Sequence, residues 1–259
     1  CGHREFARVL AKQLCQWRDI DVLGRQVFMQ SLHAHGVAHL FGNPGTTESP
    51  LLDTLADYPS MQYVVALHEG VALSAASFYA QASGRTGIVN LHVAPGLGNA
   101  LGMLYCAYKA NSPMIVTAGQ QDTRMRLRNP VLGHDLVAMA RPMVKWSVQA
   151  ESADELAPIL HRAFKIAHDP PAGPVFVALP INVMEQQTRV APMSSAALYR
   201  GPEPDSDGVE AMIDHLLSAT NPAFIIGDDV ARARAGELAM QLAQTVGASV
   251  WVETLRAHS

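Results

Sequence analysis

Three polar residues that can carry chemistry recur at equal intervals in the first half of the chain. Thr46, Glu69 and His92 are 23 residues apart, and each comes at or shortly after the end of an apolar run. A carboxyl group and an imidazole are the side chains that enzymes most often use to move protons, and a hydroxyl can bind a polar ligand. The spacing therefore predicts a site for proton chemistry with Glu69 at its centre.

The elements needed to position these residues are alternating strands and helices. Apolar runs predict strands at residues 37–41, 63–67, 87–93, 114–118, 144–148 and 175–179. Helical spacing predicts helices at residues 23–35, 51–58, 70–82, 99–110 and 153–168, with a glycine-rich turn at 95–98. This alternation predicts an α/β fold, a parallel sheet flanked by helices, with strands buried on both faces. Residues after the carboxyl ends of such strands meet at one edge, where open α/β folds bind ligands.

The chain also shows a change in composition that indicates two domains. Residues 1–21 form a basic N-terminal arm or extension, and residues 22–188 contain the strand and helix alternation. Residues 189–206 are rich in proline, glycine and serine, which is typical of a linker. Residues 207–259 then begin a second, Rossmann-like α/β domain. We expect this domain to be partial, because its last strand, at 248–252, normally leads into another crossover.

Composition excludes several classes of function. The 259 residues are 49% hydrophobic and carry a net charge of −4, without the basic stripe that binds nucleic acid. Three cysteines without a CxxC pair indicate neither a disulfide framework nor a metal site. No apolar stretch is long enough to span a membrane or to act as a signal core. We expect a soluble, cytoplasmic protein.

One glycine motif resembles a nucleotide-binding loop but does not satisfy its pattern. Residues 96–101 read Gly-Leu-Gly-Asn-Ala-Leu, so the third glycine of the dinucleotide fingerprint is missing, and no acidic residue ends the following strand. A GxxxxGK[ST] loop is also absent from the sequence. The glycines still allow a planar ligand to approach the backbone closely.

Several motifs, in order along the chain, resemble one enzyme family. From residue 23 to residue 252 the chain is similar to thiamine-diphosphate-dependent 2-oxo acid decarboxylases, and within them to the benzoylformate decarboxylases. The first domain resembles the pyrimidine-binding domain of that family. The motifs are 41–45 (FGNPG), 66–69 (ALHE), 90–92 (NLH), 96–100 (GLGNA), 112–121 (SPMIVTAGQQ), 141–147 (RPMVKWS) and 173–177 (GPVFV).

The resemblance implies a role for each candidate residue. Glu69 corresponds to the glutamate that contacts the pyrimidine N1′ of the cofactor and promotes formation of the reactive ylid, through which the family breaks a carbon–carbon bond. His92 corresponds to a histidine that handles protons on the substrate side. Thr46 stands where the relatives carry a substrate-binding serine. The implied cofactor-binding residues are Glu69, Asn43, Pro44, Gly45, Gly96 and Asn99.

Each of these residues also has a purely structural interpretation. Glu69 can be a residue favoured in the first turn of a helix by the helix dipole. A single histidine in an apolar strand, such as His92, is often a satisfied core residue. Thr46 can be a helix N-cap, and residues 43–45 can simply form a turn.

A part of the family's cofactor site is missing from the sequence. The family binds the diphosphate through Mg²⁺ on a C-terminal domain marked by Gly-Asp-Gly, and this chain contains no such motif. We therefore predict no metal ligands here and a chain that is incomplete as a catalyst alone. It would act on a small 2-oxo acid as a homo-oligomer or with a complementary diphosphate-binding chain.

Two other functions stay open at this point. An acetolactate-synthase-like carboligase would use the same cofactor to join two 2-oxo acids, although His92 argues against it because such synthases generally place a small residue in that loop. A cofactor-free binding or regulatory half-module would keep the fold without the chemistry.

Overall fold

In a computed structural model, residues 21–193 and 203–253 are described, and they form two compact units. The predicted N-terminal arm up to residue 20, the middle of the predicted linker and residues 254–259 lie outside the described residues. In the described part of the chain, no helix has the length and apolar character needed to cross a membrane. The two units are described separately.

The first unit is built on a parallel sheet of six strands. The strands are β2 (His39–Gly42), β3 (Gln62–Val65), β4 (Gly87–Leu91), β5 (Met114–Gln120), β6 (Ser147–Gln149) and β7 (Pro174–Pro180), and they lie in the order β3-β2-β4-β5-β7-β6. A short antiparallel ribbon, β1 (Val22–Leu23) with β8 (Gln187–Thr188), joins the two ends of this unit. The predicted α/β class is confirmed.

Helices cover both faces of this sheet because the central strands are apolar on both sides. Ile115 packs into one buried cluster and its neighbour Val116 into the other, as the alternation of side chains along a strand requires. The first cluster includes α1 (Gly24–Ala34), α2 (Ser49–Leu55), α6 (Leu156–His168) and α7 (Ile181–Met184). The second includes α3 (Glu69–Ser83), α4 (Val93–Lys109) and α5 (Leu136–Ala140).

The order of the strands creates a ligand-binding position at the carboxyl edge. The chain passes from β2 to β3 on one side and then returns to place β4 on the other side of β2. Such a reversal leaves a crevice beyond the strand ends, where open α/β folds bind ligands. The loops after β2, β3 and β4 border this crevice.

The structure corrects two details of the sequence-based prediction. Strand β3 is not buried on both faces, because it is the edge strand of the sheet, and Val65 is 63% exposed. The predicted turn at 95–98 is wrong, because α4 already begins at Val93. Pro95 fits in the first turn of this helix, where a missing backbone N–H costs no helical hydrogen bond.

The second unit contains a parallel pair of strands, β9 (Ala223–Ile226) and β10 (Ser249–Val252). Its described helices are α8 (Ser206–Ser218), α9 (Asp228–Arg232) and α10 (Gly236–Val246). The helical residues from Asp228 to Val246 are divided between α9 and α10, because the backbone of Arg234 has a φ of 53° and interrupts the helix. The boundaries of the two domains stay a prediction.

Two half-buried histidines of the first unit make its stability depend on pH. Burial lowers the pKa of His168 and of His35 below 6.5, the ordinary value for histidine. The unfolded chain therefore binds protons that the folded chain excludes, so the free energy of unfolding falls as the pH drops through 6.5 and below. His168 also forms a 2.8 Å hydrogen bond through Nε2 with Thr86 Oγ1.

We expect the free energy of unfolding to decrease as the pH falls through about 6.5 and below. In the variant His168→Gln, the amide keeps a partner for Thr86 but does not titrate, so the decrease should be shallower. Urea unfolding of both proteins at several pH values measures this difference. Equal pH dependence in the variant and the wild type would contradict the assignment to His168.

Candidate active site

Glu69 lies at the crevice as the first residue of α3. Glu69 is only 7% exposed, and its carboxylate accepts hydrogen bonds from two side-chain amides. Asn43 Nδ2 donates to Oε1 at 3.3 Å, and Asn99 Nδ2 donates to Oε2 at 3.0 Å. The preceding residue, His68, caps the helix by accepting the backbone N–H of Gly70. The carboxylate is thus fixed at the positive end of a helix dipole by donors from two other segments.

Two glycines keep the space around the candidate groups free. A Cβ on Gly96 would lie 3.5 Å from Oε1 of Glu69, so this helical glycine lies directly beside the carboxylate. A Cβ on Gly45 would lie 2.3 Å from Nδ1 of His92, so the loop that contains Pro44 and Gly45 passes against the imidazole. The structure therefore brings five of the predicted cofactor-binding residues into two adjoining groups: Asn43, Gly96 and Asn99 with Glu69, and Gly45 with His92.

His92 is the single residue between β4 and α4, and its ring is paired with a carboxylate. Glu48 Oε2 lies 2.8 Å from His92 Nδ1, and the Glu48 side chain is 1% exposed. The same oxygen accepts the backbone N–H of Gly45 at 2.8 Å. The hydroxyl of Thr47 donates to Glu48 Oε1 at 2.5 Å and lies 3.2 Å from His92 Nδ1. His92 is therefore not simply a core histidine, because its ring contacts the buried carboxylate of Glu48.

Glu48 was missed by the sequence analysis. An acidic residue in the first turn of a helix is usually explained by the helix dipole, and this explanation gives no reason to expect a contact between Glu48 and His92. One signal was available, because Glu48, like Glu69, follows closely on the end of a predicted strand. The glycine that makes room for it comes from β5: a Cβ on Gly119 would lie 1.9 Å from Glu48 Oε1.

Thr46 is not brought into this cluster. It is solvent-exposed, and among the described residues its hydroxyl has no hydrogen bond, so it is not a helix N-cap either. Thr46–Glu48 form a turn of 3₁₀ helix, in which successive side chains point about 120° apart. Thr47 and Glu48 consequently face inward while Thr46 faces solvent. Its substrate-binding role stays a prediction.

A row of buried polar side chains runs beneath the site across the sheet. Asn90 Nδ2 donates to Thr117 Oγ1 at 3.0 Å, and Thr117 donates to the backbone oxygen of Val89 at 3.1 Å. The Tyr63 hydroxyl lies 3.4 Å from Asn90 Oδ1. Burial raises the pKa of Tyr63, and the nearby charge of Glu48 raises it further. This row fixes the strands that position His92 and Glu48.

The backbone immediately after His92 is strained. Val93 is fully buried and has a φ of 44°, a left-handed conformation that β-branched residues rarely adopt. Such strain costs on the order of 1–3 kcal/mol and is concentrated at functional sites. Val93 is the first residue of α4, so its conformation determines how His92 is positioned at the start of this helix.

One surface cavity contains none of the residues of this cluster. It is lined by residues at and after the ends of β5 and β6, among them Gln120, Arg126, His134 and Glu151. Gln120 Nε2 donates to the backbone oxygen of His134 at 2.7 Å, so Gln120 anchors this loop. Arg126 pairs with Glu151 at 3.4 Å. We therefore assign these residues to the loop structure rather than to the site.

Metal-binding groups are not found in the described ranges. No set of three or more His, Cys, Asp or Glu side chains in residues 21–193 and 203–253 is arranged to hold a metal ion. Cys106, on α4, is a free and exposed thiol.

Comparisons with known proteins agree with this geometry. Residues 23–139 match the profile of the thiamine pyrophosphate enzyme N-terminal TPP binding domain. A benzoylformate decarboxylase of Pseudomonas aeruginosa is 34% identical over 85% of the chain and 42% of its own length. The structure of a thiamine diphosphate-dependent 4-hydroxybenzoylformate decarboxylase of Rhodococcus jostii has a TM-score of 0.77 at 33% identity, over 89% of this chain and 44% of that one.

Acetolactate synthases are also similar. The enzyme of Mycobacterium bovis is 30% identical over 92% of the chain and 39% of its own length. The chain thus spans about two fifths of the length of these curated relatives.

Proposed function

Because this chain belongs to the thiamine-diphosphate-dependent enzymes and carries their N-terminal cofactor-binding domain, we propose that it is part of a decarboxylase that acts on aromatic 2-oxo acids of the benzoylformate type. The observation that carries this proposal is the carboxylate of Glu69, held by Asn43 and Asn99 at the crevice where the strand order reverses. The similarity to benzoylformate decarboxylases supports the substrate class.

The residues around Glu69 fit the pyrimidine ring of thiamine diphosphate. The buried carboxylate can exchange a proton with a ring nitrogen, and Gly96 leaves the space beside it open. The residues that would hold the ring are Glu69, Asn43, Pro44, Gly45, Gly96 and Asn99. When bound, the cofactor supplies a carbon nucleophile and takes up the electrons left by the departing CO₂.

This chain's own residues would supply proton transfer and substrate binding. Glu69 would move a proton at N1′ of the pyrimidine, and His92 would give and take protons on the substrate side. The exposed hydroxyl of Thr46 would bind the carboxylate of a 2-oxo acid. Positioned acids and bases of this kind contribute about 10²–10⁴ in rate.

The remainder of the catalyst is proposed to lie outside these residues. We propose that Mg²⁺ and the diphosphate are bound by another domain or chain, in a cytoplasmic homo-oligomer or in a complex with a complementary diphosphate-binding chain. Exposed apolar side chains on the segment that contains Glu69 support a protein contact on this side: Val65 ends the edge strand β3, Leu67 lies in the loop after it, and Val71 and Phe78 lie on α3. Several large apolar side chains exposed along one segment are typical of interaction sites.

The assay that tests the function uses the full-length protein with thiamine diphosphate and Mg²⁺. We expect benzoylformate to be converted into CO₂ and benzaldehyde. The similarity to acetolactate synthases makes a carboligase the second candidate, so pyruvate is tested in parallel. Acetolactate from pyruvate without an aldehyde from benzoylformate would overturn the first proposal. Calorimetry that detects no binding of thiamine diphosphate and Mg²⁺ would indicate a cofactor-free module instead.

A further inference from the structure

The pair formed by Glu48 and His92 has an arrangement that restricts where the imidazole carries its proton. We propose that Glu48 is a positioning residue that holds neutral His92 as the Nδ1–H tautomer and leaves Nε2 as the nitrogen that exchanges protons. The catalytic part of this inference rests on the proposed function. The tautomer itself follows from the geometry of this chain.

The hydrogen-bond partners of Nδ1 are both acceptors. Glu48 Oε2, at 2.8 Å, is a carboxylate oxygen and has no hydrogen to give. Thr47 Oγ1, at 3.2 Å, has one hydroxyl hydrogen, and this hydrogen is donated to Glu48 Oε1. An unprotonated Nδ1 would face two oxygens across short distances without any hydrogen between them. The contact is favourable only when Nδ1 carries the proton.

The carboxylate of Glu48 is itself held in place and cannot turn away from the ring. The backbone N–H of Gly45 donates to Oε2, the Thr47 hydroxyl donates to Oε1, and the absent side chain of Gly119 leaves the space that Oε1 fills. The side chain is also almost entirely enclosed, so water cannot replace the imidazole as its partner. The ring must therefore adapt to the carboxylate.

The other ring nitrogen is free for chemistry. Within residues 21–193 and 203–253, no hydrogen bond engages Nε2 of His92, and the side chain is 24% exposed. With the proton on Nδ1, Nε2 presents a lone pair that accepts a proton from a substrate group. In carboxylate–histidine pairs of hydrolases, the carboxylate likewise binds Nδ1–H while Nε2 transfers the proton. Losing the correct tautomer there lowers the rate about 10⁴-fold.

The test is ¹⁵N NMR of the His92 ring in the 259-residue chain, at a pH where the ring is neutral. We expect a protonated Nδ1 and an unprotonated Nε2 in the wild type. In Glu48→Met, Thr47 loses its acceptor and can donate to Nδ1, so the proton should move to Nε2. The matched control Thr47→Val keeps the carboxylate and should keep the Nδ1–H tautomer.

An Nε2–H tautomer in the wild type would overturn the proposal, and this result does not depend on any variant folding. An unchanged tautomer in folded Glu48→Met would also overturn it. In the full-length protein, Glu48→Met should lower kcat about 10²-fold with a smaller effect on KM, since the ring is misplaced rather than the substrate lost. If the tautomer is as expected but wild-type protein does not decarboxylate benzoylformate, the proposed function fails and the positioning role stands.

Discussion

Replacing Glu69 by glutamine is expected to lower the rate of benzoylformate decarboxylation by the full-length protein about 10²–10⁴-fold. Glutamine has nearly the same shape, but it cannot release or take up a proton at the pyrimidine. It also offers only one acceptor, whereas Asn43 and Asn99 each donate to a separate oxygen of Glu69. One of the two amides must then turn over or lose its partner, so the variant changes both chemistry and fit.

The control for this experiment is Glu151→Gln. Glu151 is exposed and pairs with Arg126, and none of its hydrogen bonds reaches Glu69 or the two amides, so its loss should leave the rate unchanged. The affinity for thiamine diphosphate and the thermal midpoint of Glu69→Gln are measured alongside, to separate loss of chemistry from loss of binding or folding. Full activity in Glu69→Gln would show that this carboxyl group is not the proton carrier.

Replacing Gly45 by alanine is expected to lower the rate about 10²-fold and to lower the unfolding midpoint as well. The new Cβ would lie 2.3 Å from Nδ1 and 2.6 Å from Cγ of His92, so the imidazole has to swing away from Glu48. The backbone of Gly45 is extended, with φ −126° and ψ −155°, and alanine adopts this conformation without strain. The displaced imidazole leaves the enclosed carboxylate of Glu48 with one partner fewer, so the variant should lose stability as well as activity.

Gly236→Ala provides the matched comparison. A Cβ at this position meets no atom within 4 Å, and the residue begins α10 in the second unit. We expect its rate and unfolding midpoint to equal those of the wild type. The prediction for Gly45 would be contradicted by a variant with the wild-type rate, or by one that loses activity only because it unfolds.

The sequence was sufficient to predict most of the first unit, because its strands are continuous apolar runs separated by amphipathic helices. It also predicted that Glu69 and His92 lie at one edge, since parallel strands align their carboxyl ends. What it could not provide is the position of each strand in the sheet. The run at 63–67 is apolar, yet β3 is an edge strand with an exposed Val65. The apolar character of this run therefore does not mean that other residues of this chain bury the strand on both faces.

The contact between Glu48 and His92 could not be predicted for a different reason. It depends on a 3₁₀ turn that faces Glu48 inward and on two glycines, Gly45 and Gly119, from separate segments. No local pattern links residues that are 44 positions apart in the chain. Thr46, chosen by analogy and spacing, faces solvent because of the same turn.

The parallel sheet has a consequence for how the site can form during folding. No two adjacent strands of this sheet are joined by a hairpin, and the register of β5 with β7 aligns Met114 with Pro174, 60 residues further on. Each pairing must overcome loop-closure entropy before it gains contacts, which slows folding in chains of high contact order. The segment from His39 to Gln120 contains Glu48, Glu69, His92 and Gly119, so no short peptide can nucleate the site. The proton-transfer groups become neighbours only as a result of the sheet's long-range assembly.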